Sequence, residues 1–133
     1  MLTVETYIAP SSIHGIGLFA KHAISEGTVI WKFDPLTDIL YTKEQVSNLP
    51  PILRELFRMY SWVSSSGLYV MSVDLDKHTN HSDTPNMICG QDELSPCYAA
   101  RDIEAGEELT SDYREFEATI SADSEQQWWV GRK

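Results

Sequence analysis

The feature that most restricts the fold of this chain is the regular alternation of short β-type stretches with turn residues. The stretches are rich in β-branched and aromatic residues, and they end at clusters of Gly, Pro, Asp or Asn. A doubly wound parallel sheet would need a helix between successive strands, and those helices are missing. The pattern therefore predicts a compact, mostly β domain of about seven or eight short strands with one helical insertion. The clearest predicted strands are residues 3–8, 28–33, 68–73, 87–96 (including a polar turn), 97–103 and 108–113.

Size and composition are those of one globular domain. The chain has 133 residues, of which 42% are hydrophobic and 23% charged, so we expect a single domain over residues 1–133. No apolar run approaches the roughly 20 residues of a membrane helix. The first residues lack the basic start and apolar core of a signal peptide. These observations predict an intracellular protein that does not bind a membrane.

The net charge of −10 restricts the partners. A strongly acidic surface repels the phosphates of nucleic acid, so direct binding to nucleic acid is not expected. The same charge suits a cationic partner such as a lysine-rich protein segment. It also has a simpler interpretation, because net charge of this size keeps a protein soluble.

The two cysteines, Cys89 and Cys97, are eight residues apart. Two thiols cannot complete a zinc site by themselves, and this spacing is not typical of zinc ligands. A short disulfide is an alternative. Because the chain is expected in a reducing compartment, we predict free thiols.

The helical insertion has readable ends. Thr42 followed by Gln45 fits a capping box for a short helix, which must stop before Pro50-Pro51. Pro51 can then occupy the first turn of a second helix. Apolar residues recur after it at three- and four-residue steps and predict one buried face: Ile52, Leu53, Leu56, Phe57, Tyr60 and Val63.

Residues 78–86, His-Thr-Asn-His-Ser-Asp-Thr-Pro-Asn, carry more hydrogen-bonding groups than a connecting loop requires. One interpretation is a metal site, because Asp74, Asp76 and His78 would share a strand face with His81 nearby. Turn residues interrupt the strand at this point, which argues against it. A hydrolase built on Ser82 and His81 is weaker still, since no glycine elbow surrounds the serine.

Two further features stand apart from that stretch. Gly15-Ile16-Gly17 permits unusual backbone angles or a close approach of another group to the backbone, although a tight turn explains it equally well. It is not a dinucleotide fingerprint, because the third glycine and the following helix are missing. Tyr113 follows an acidic turn at the end of a predicted strand, where its phenol can donate or accept a hydrogen bond.

The order of these elements is more informative than any one of them. Gly-Ile-Gly-Leu-Phe-Ala at residues 15–20, Asn-His-Ser-Asp-Thr-Pro-Asn at 80–86 and Gly-Glu-Glu-Leu-Thr-Ser-Asp-Tyr at 106–113 together resemble the SET-domain protein lysine methyltransferases. The resemblance runs from about Val4 to Tyr113. The Gly-x-Gly element is weakly specific. The element at residues 80–86 is strongly specific, and the one at residues 106–113 is nearly so.

The resemblance implies the SET-type β-clip fold, an α+β arrangement of small twisted sheets around a pseudoknot. The segment that ends in Tyr113 would pass beneath the loop containing Asn80 and His81. Residues 36–66 would form the variable helical insert that supplies one wall of the substrate groove. Residues 114–133 would be a tail that takes the place of the cysteine-rich, zinc-binding tail of many histone-directed members. That cysteine-rich tail is absent, so no metal is expected.

The implied reaction is methyl transfer from S-adenosyl-L-methionine to a lysine amine of a basic protein, such as a histone or histone-like protein. Tyr113 matches the catalytic tyrosine of the family. Asn80, His81 and the backbone of Gly15, Ile16 and Gly17 would bind the cofactor. Aromatic residues of the tail would stack on its adenine: Phe116, Trp128 or Trp129. The two tryptophans could instead cap the core or a homodimer interface.

The substrate channel is predicted less sharply. Tyr60, Tyr69 and Tyr98 are candidates for its lining, and each could equally be a packing residue. Ser111 stands where family members commonly carry Phe or Tyr, two residues before the catalytic tyrosine. Its small side chain leaves room for di- or trimethylation.

Two rival functions remain open at the level of sequence. A catalytically inactive module could keep the same fold and bind a peptide or the cofactor. A metal-dependent oxygenase is the weaker rival.

Overall fold

The computed structural model describes residues 1–116, and the tryptophans of the tail, Trp128 and Trp129, lie outside the described residues. Ten strands form within it, together with two α-helices, α1 (Lys43–Ser47) and α2 (Pro51–Tyr60), and two single 3-10 turns, Leu75–His78 and Tyr113–Glu115. The strands are β1 (Thr6–Pro10), β2 (Ile16–Ala20), β3 (Val29–Trp31), β4 (Asp38–Tyr41), β5 (Ser61–Val63), β6 (Tyr69–Ser72), β7 (Asn80–His81), β8 (Met87–Cys89), β9 (Cys97–Ala99) and β10 (Glu108–Ser111).

The strands make three small sheets, with the strand orders β1-β2-β10-β7, β3-β9-β8 and β4-β6-β5. All pairings are antiparallel except that of β7 with β10, which is parallel. The predicted mostly β fold of small sheets is confirmed. No helix in residues 1–116 is long and apolar enough to cross a bilayer.

One apolar core joins the first two sheets. Leu18, Ile30, Ile103 and Leu109 are all at most 2% exposed, and Met87 packs with them. Because these residues come from β2, β3, β8, β10 and the loop before β10, the core fixes the relative positions of strands far apart in sequence. That burial holds the ends of β7 and β10, where the polar motifs lie, against one another.

The two helices of the insertion begin where they were predicted to begin, but the second helix packs differently from the prediction. The capping box is present: the Thr42 side chain accepts from the Gln45 amide while the Gln45 side chain accepts from the Thr42 amide. Pro51 starts α2. Residues 36–66 also contain β4 and β5, which flank β6 in the third sheet.

The prediction of a buried face on the second helix is wrong for most of its members. Phe57 is buried and packs edge-on against Tyr41, whereas Ile52 is 79% exposed and Leu53 and Leu56 are also exposed. Val63 lies beyond the helix, on β5. Helical periodicity shows which residues share a face, but here only one turn of that face meets the neighbouring sheet.

The prediction of free thiols is wrong in this structure. Cys89 on β8 and Cys97 on β9 stand directly opposite one another, and their sulfurs are bonded at 2.09 Å. The prediction came from the expected compartment. The pairing comes from the register of two antiparallel strands, which the sequence spacing does not reveal.

Candidate active site

Residues 80–86 hold β10 on two sides. On one side β7 pairs with it in parallel, Asn80 opposite Thr110 and His81 opposite Ser111, and the amide of Ser82 donates to the Ser111 carbonyl at 3.0 Å. On the other, the buried Asn86 side chain donates to the Glu108 carbonyl at 2.8 Å and accepts from the Thr110 amide at 2.9 Å. This clasp fixes the strand that delivers Tyr113.

Asn80 connects the clasp to the glycine element. Its side-chain nitrogen donates to the carbonyls of His14 and Ile16, at 3.0 and 3.3 Å, and to Glu108 at 2.9 Å. Glu108 also accepts from the Ser11 hydroxyl. One amide therefore holds the start of β2 against the start of β7.

The two glycines serve different purposes. Gly15 has a φ of +48°, a conformation that favours glycine, and an added Cβ would meet nothing within 4 Å. At Gly17 a Cβ would lie 2.2 Å from the Glu108 carboxylate, so only glycine permits that contact. Ile16 between them is 49% exposed. The segment thus presents accessible backbone beside Asn80.

His81 orients the turn that carries Tyr113. Its Nδ1 accepts the amide proton of Tyr113 at 3.1 Å, and its Nε2 lies 3.3 Å from an oxygen of Asp83. A neutral ring with its proton on Nε2 satisfies both contacts. Asp112 caps the same turn, and its hydrogen bonds from Arg114 lower the pKa of its carboxyl.

Tyr113 itself is fixed through its phenol. The hydroxyl donates to the carbonyl of Thr79 at 2.5 Å, and the ring makes edge contacts with His81 and Phe116. The predicted catalytic tyrosine therefore lies within the cluster formed by Asn80 and His81.

A cavity opens beside Tyr113, and five aromatic residues are among those that line it. The rings contact one another in series: Trp31 meets Trp62 at 6.4 Å between centroids, Trp62 meets Phe116 at 5.4 Å, and Phe116 meets Tyr113 at 5.7 Å. Tyr60 completes the aromatic lining. Aromatic faces attract cations and exclude water, so this cavity suits an alkylammonium group.

The predicted site residues fall into two groups. Asn80, His81 and residues 15–17 form one cluster with Tyr113. Tyr60, Ser111 and Phe116 line the cavity together with Tyr113. Phe116 packs in the cavity wall between Trp62 and Tyr113.

Two of the channel candidates lie elsewhere. Tyr69 pairs with Tyr41 and Val63 in the third sheet. Tyr98 is 40% exposed on β9, opposite Val29 and Ile88. Neither is among the residues that line the cavity.

Sequence reasoning missed several cavity residues. Trp31, Trp62, Asp76, Met87 and Cys89 all line it. The sequence did not identify the two tryptophans as cavity residues, because aromatic residues are common in strands. Asp76 was considered only as a metal ligand. Within residues 1–116, no group of three or more His, Cys, Asp or Glu side chains is placed to hold a metal.

Among the residues that line the cavity, Asp76 has a carboxyl whose pKa is strongly raised. Burial raises the pKa of its carboxyl to about 7, with Asp74 and Asp38 adding to the rise. The amino group of Met1 and the hydrogen bond from Thr79 oppose it. A carboxyl that titrates near neutrality in a cavity is a frequent mark of a functional site.

Comparison with known proteins identifies the class. The family model of the SET domain matches residues 15–114, which is most of the chain. The chain belongs to the SET-domain family. This confirms the resemblance carried by residues 15–20, 80–86 and 106–113.

The relatives are much larger proteins. A histone-lysine N-methyltransferase of Aspergillus oryzae, described as H3 lysine-4 specific, is 34% identical over 86% of this chain, but the match spans only 10% of that protein. The chain thus corresponds to about a tenth of the length of this relative. The match to another relative, from Plasmodium falciparum, spans only 2% of that protein.

Two solved structures share the fold. A humanized mutant of the Chaetomium thermophilum Polycomb Repressive Complex 2, bound to an inhibitor, aligns with a TM-score of 0.64 at 25% identity, over 85% of this chain and 15% of that one. A Plasmodium falciparum protein provisionally assigned as a histone methyltransferase aligns with a TM-score of 0.61 at 19% identity, over 96% and 99% of the two chains. The second likeness shows the fold alone.

Proposed function

We propose that this chain is an S-adenosyl-L-methionine-dependent protein-lysine N-methyltransferase. The observation that supports this most directly is the position of Tyr113. Its phenol is fixed by the Thr79 carbonyl at the junction of the aromatic cavity and the Asn80 cluster. Two relatives named as histone-lysine methyltransferases point to the same reaction.

The Asn80 cluster fits the cofactor. The exposed Ile16, the accessible backbone at Gly15 and the edge of His81 form a surface with both apolar and polar groups, as a nucleoside carrying an amino-acid tail requires. Asn80 would act by holding residues 14–16 in place as well as by its own polar atoms. When bound, the cofactor supplies an electrophilic methyl group on a good sulfur leaving group.

The residues that line the cavity would bind the substrate lysine and prepare its amine for methyl transfer. A lysine side chain entering between Trp31, Trp62 and Tyr113 loses its water shell, which lowers the pKa of its ammonium group. The rings of the wall offset part of that cost by cation–π attraction. Tyr113 orients the amine, and alignment of the two reactants accounts for much of the rate.

The substrate of the proposed enzyme is a basic protein of the histone type, inside a cell. The net charge of −10 and the names of the relatives support this. The Cys89–Cys97 bridge opposes a reducing compartment. Alkylation of thiols in freshly lysed cells, followed by mass spectrometry, would decide whether the bridge exists there.

The test separates an enzyme from an inactive module of the same fold. Purified protein is incubated with labelled cofactor and core histones, and cofactor binding is measured by calorimetry. We expect Tyr113→Phe to lower turnover about 100-fold, because it removes one preorganised hydroxyl, while cofactor binding persists. Asn80→Ala should abolish cofactor binding.

His78→Ala is the matched control. His78 lies on the neighbouring turn, where its ring packs against Tyr60, and its loss should leave cofactor affinity unchanged. Cofactor binding by the wild type without transfer to any histone would support the inactive module instead. Equal turnover of Tyr113→Phe and wild type would remove the assigned role of the tyrosine.

A further inference from the structure

Asp76 is held by the same residue that fixes the tyrosine. Its main-chain carbonyl accepts the Thr79 amide at 2.9 Å, and its carboxylate accepts the Thr79 hydroxyl at 3.4 Å. The Thr79 carbonyl in turn accepts the phenol of Tyr113 at 2.5 Å. Asp76 and Tyr113 both line the cavity. Thr79 therefore fixes the position of the Asp76 carboxyl relative to the phenol of Tyr113.

The Asp76 carboxyl has no salt bridge to a cation of the described chain. The amino group of Met1, which lowers the pKa of Asp76, pairs with Asp38 at 2.6 Å. Lys77 also lines the cavity, and its ammonium lies over the ring of Tyr60 at 5.8 Å. A partly buried carboxyl in an aromatic cavity is thus left for a cation that enters from outside.

A second polar group of a cavity-lining residue is also unpaired. Trp31 is 3% exposed, and its indole N–H meets no acceptor among the described residues. Buried donors without partners are rare in folded proteins. Among the described residues, the Asp76 carboxyl therefore lacks a cationic partner and the Trp31 N–H lacks an acceptor.

We propose that Asp76 is the proton acceptor for the substrate lysine. The inference rests on the proposed function and extends it to a residue outside the family motifs. The substrate ammonium gives one proton to a carboxylate oxygen of Asp76, so that R-NH3⁺ and COO⁻ become R-NH2 and COOH. The amine keeps the lone pair that forms the new N–C bond. The proton then passes to solvent, which returns Asp76 to its starting charge before the next turnover.

The charged and titratable groups around Asp76 define the pH range of this role. Asp74 precedes its turn, Asp38 lies on β4, and the Met1 amino group pairs with Asp38. Tyr60, Lys77 and Tyr113 face the cavity. Burial and the two aspartates hold the pKa of Asp76 at about 7. The carboxylate can therefore accept a proton above neutral pH and is already protonated below it.

The test is the pH dependence of kcat/KM for Asp76→Asn, with core histones as substrate. The amide keeps the shape and cannot take the proton. We expect kcat/KM to fall about 100-fold at pH 7.5, within the range for loss of a general base. It should then rise about tenfold per pH unit up to roughly pH 9.5, as the free amine of lysine becomes populated. The kcat/KM of wild type should be constant above pH 7 and should fall below pH 7.

Two aspartate variants serve as controls. Asp102→Asn changes an exposed turn residue that accepts the Glu26 amide, far from the cavity, and should leave the profile unchanged. Asp74→Asn removes a carboxylate that raises the pKa of Asp76, so the acidic limb of the profile should move to lower pH.

The possible results separate the two proposals. If wild type methylates histones and Asp76→Asn has the same profile, the proton-acceptor role is wrong while the methyltransferase function stands. If wild type methylates none, both are wrong. A constant loss in Asp76→Asn at every pH would indicate a structural role and would also overturn the proposal.

Unfolding in urea provides a readout that does not depend on activity. The pKa of Asp76 is higher in the folded chain than the ordinary 3.8, so folding binds a proton, and this residue stabilises the fold less as pH rises from about 4 to above 7. Asp76→Asn should be more stable than wild type at pH 8, and the difference should be smaller at pH 5. Equal stability at both values would contradict a shielded carboxyl.

Discussion

In the proposed reaction, Ser111 would decide how much space surrounds the substrate amine. Its side chain is 2% exposed at the end of β10, two residues before Tyr113, and it lines the cavity with Met87 and Cys89. None of these three side chains is a large ring. We therefore expect the cavity next to the phenol to admit an amine that already carries methyl groups.

The prediction at this residue concerns the product. Wild type should form di- and trimethyl-lysine, and Ser111→Phe should stop at monomethyl-lysine because the ring occupies that space. Mass spectrometry of histones after exhaustive reaction measures the distribution. Ser111→Ala, which keeps the space, should match wild type. Monomethyl-lysine as the only wild-type product under excess enzyme would contradict the prediction.

Among single residues, those in local motifs could be predicted and those brought together by packing could not. Asn80, His81 and Tyr113 were identifiable because their spacing in the sequence is itself distinctive. Trp31 and Asp76 are 45 positions apart and meet only because β3 and the 3-10 turn at Leu75–His78 line one cavity. No periodic pattern in the sequence predicts that these two residues line the same cavity.

At the level of elements, the clasp around β10 depends on one buried side chain. Asn86 makes two side-chain hydrogen bonds to the backbone of β10, and its own amide donates to the Thr110 hydroxyl at 3.4 Å. Asn86→Ala would leave the Glu108 carbonyl and the Thr110 amide unpaired in the interior. A buried group left unpaired costs about 1–3 kcal/mol.

We therefore expect Asn86→Ala to lower the free energy of unfolding by about 3 kcal/mol, measured in urea. Thr84→Ala, at an exposed position of the same loop, should change it by less than about 0.5 kcal/mol. A similar small effect for both variants would mean that the clasp contributes little to stability.

The β8–β9 hairpin is closed by the Cys89–Cys97 bridge and forms part of the cavity wall. The Cys89 amide also donates to Glu115, in the turn that carries Tyr113. Closing a loop of this length stabilises a fold by about 2–3 kcal/mol in the chain-entropy account. The hairpin thus connects the cavity wall to the turn that carries Tyr113.

Reduction should lower the melting temperature of wild type and leave that of a Cys89→Ser/Cys97→Ser variant unchanged. Thermal unfolding with and without a phosphine reductant measures both. Two free thiols in the intact mass of the untreated protein, or no change on reduction, would contradict the bridge.

Helix α2 shows the limit of pattern reasoning for an element. Its existence and first residue follow from Pro50-Pro51 and the preceding capping box. Its packing does not, because a pattern of apolar residues says nothing about how far the neighbouring sheet extends. Phe57 is covered, while Ile52 and Leu56 are not.

Over the whole molecule, the site draws on every part of the described chain. Residues 14–17, Trp31, the end of α2 and residues 72–81 meet β10 and the turn after it. The mostly β class could be predicted from turn spacing. The grouping into three sheets could not, because strands such as β2 and β10 pair across most of the sequence.

The clasp also sets an order of events during synthesis. Residues 80–86 leave the ribosome well before residues 108–113, so the loop that will surround β10 exists for some time with nothing inside it. Neither Tyr113 nor the partner of Asn86 is available to the nascent chain until then. A growing chain therefore cannot complete the clasp until residues 108–113 have been released.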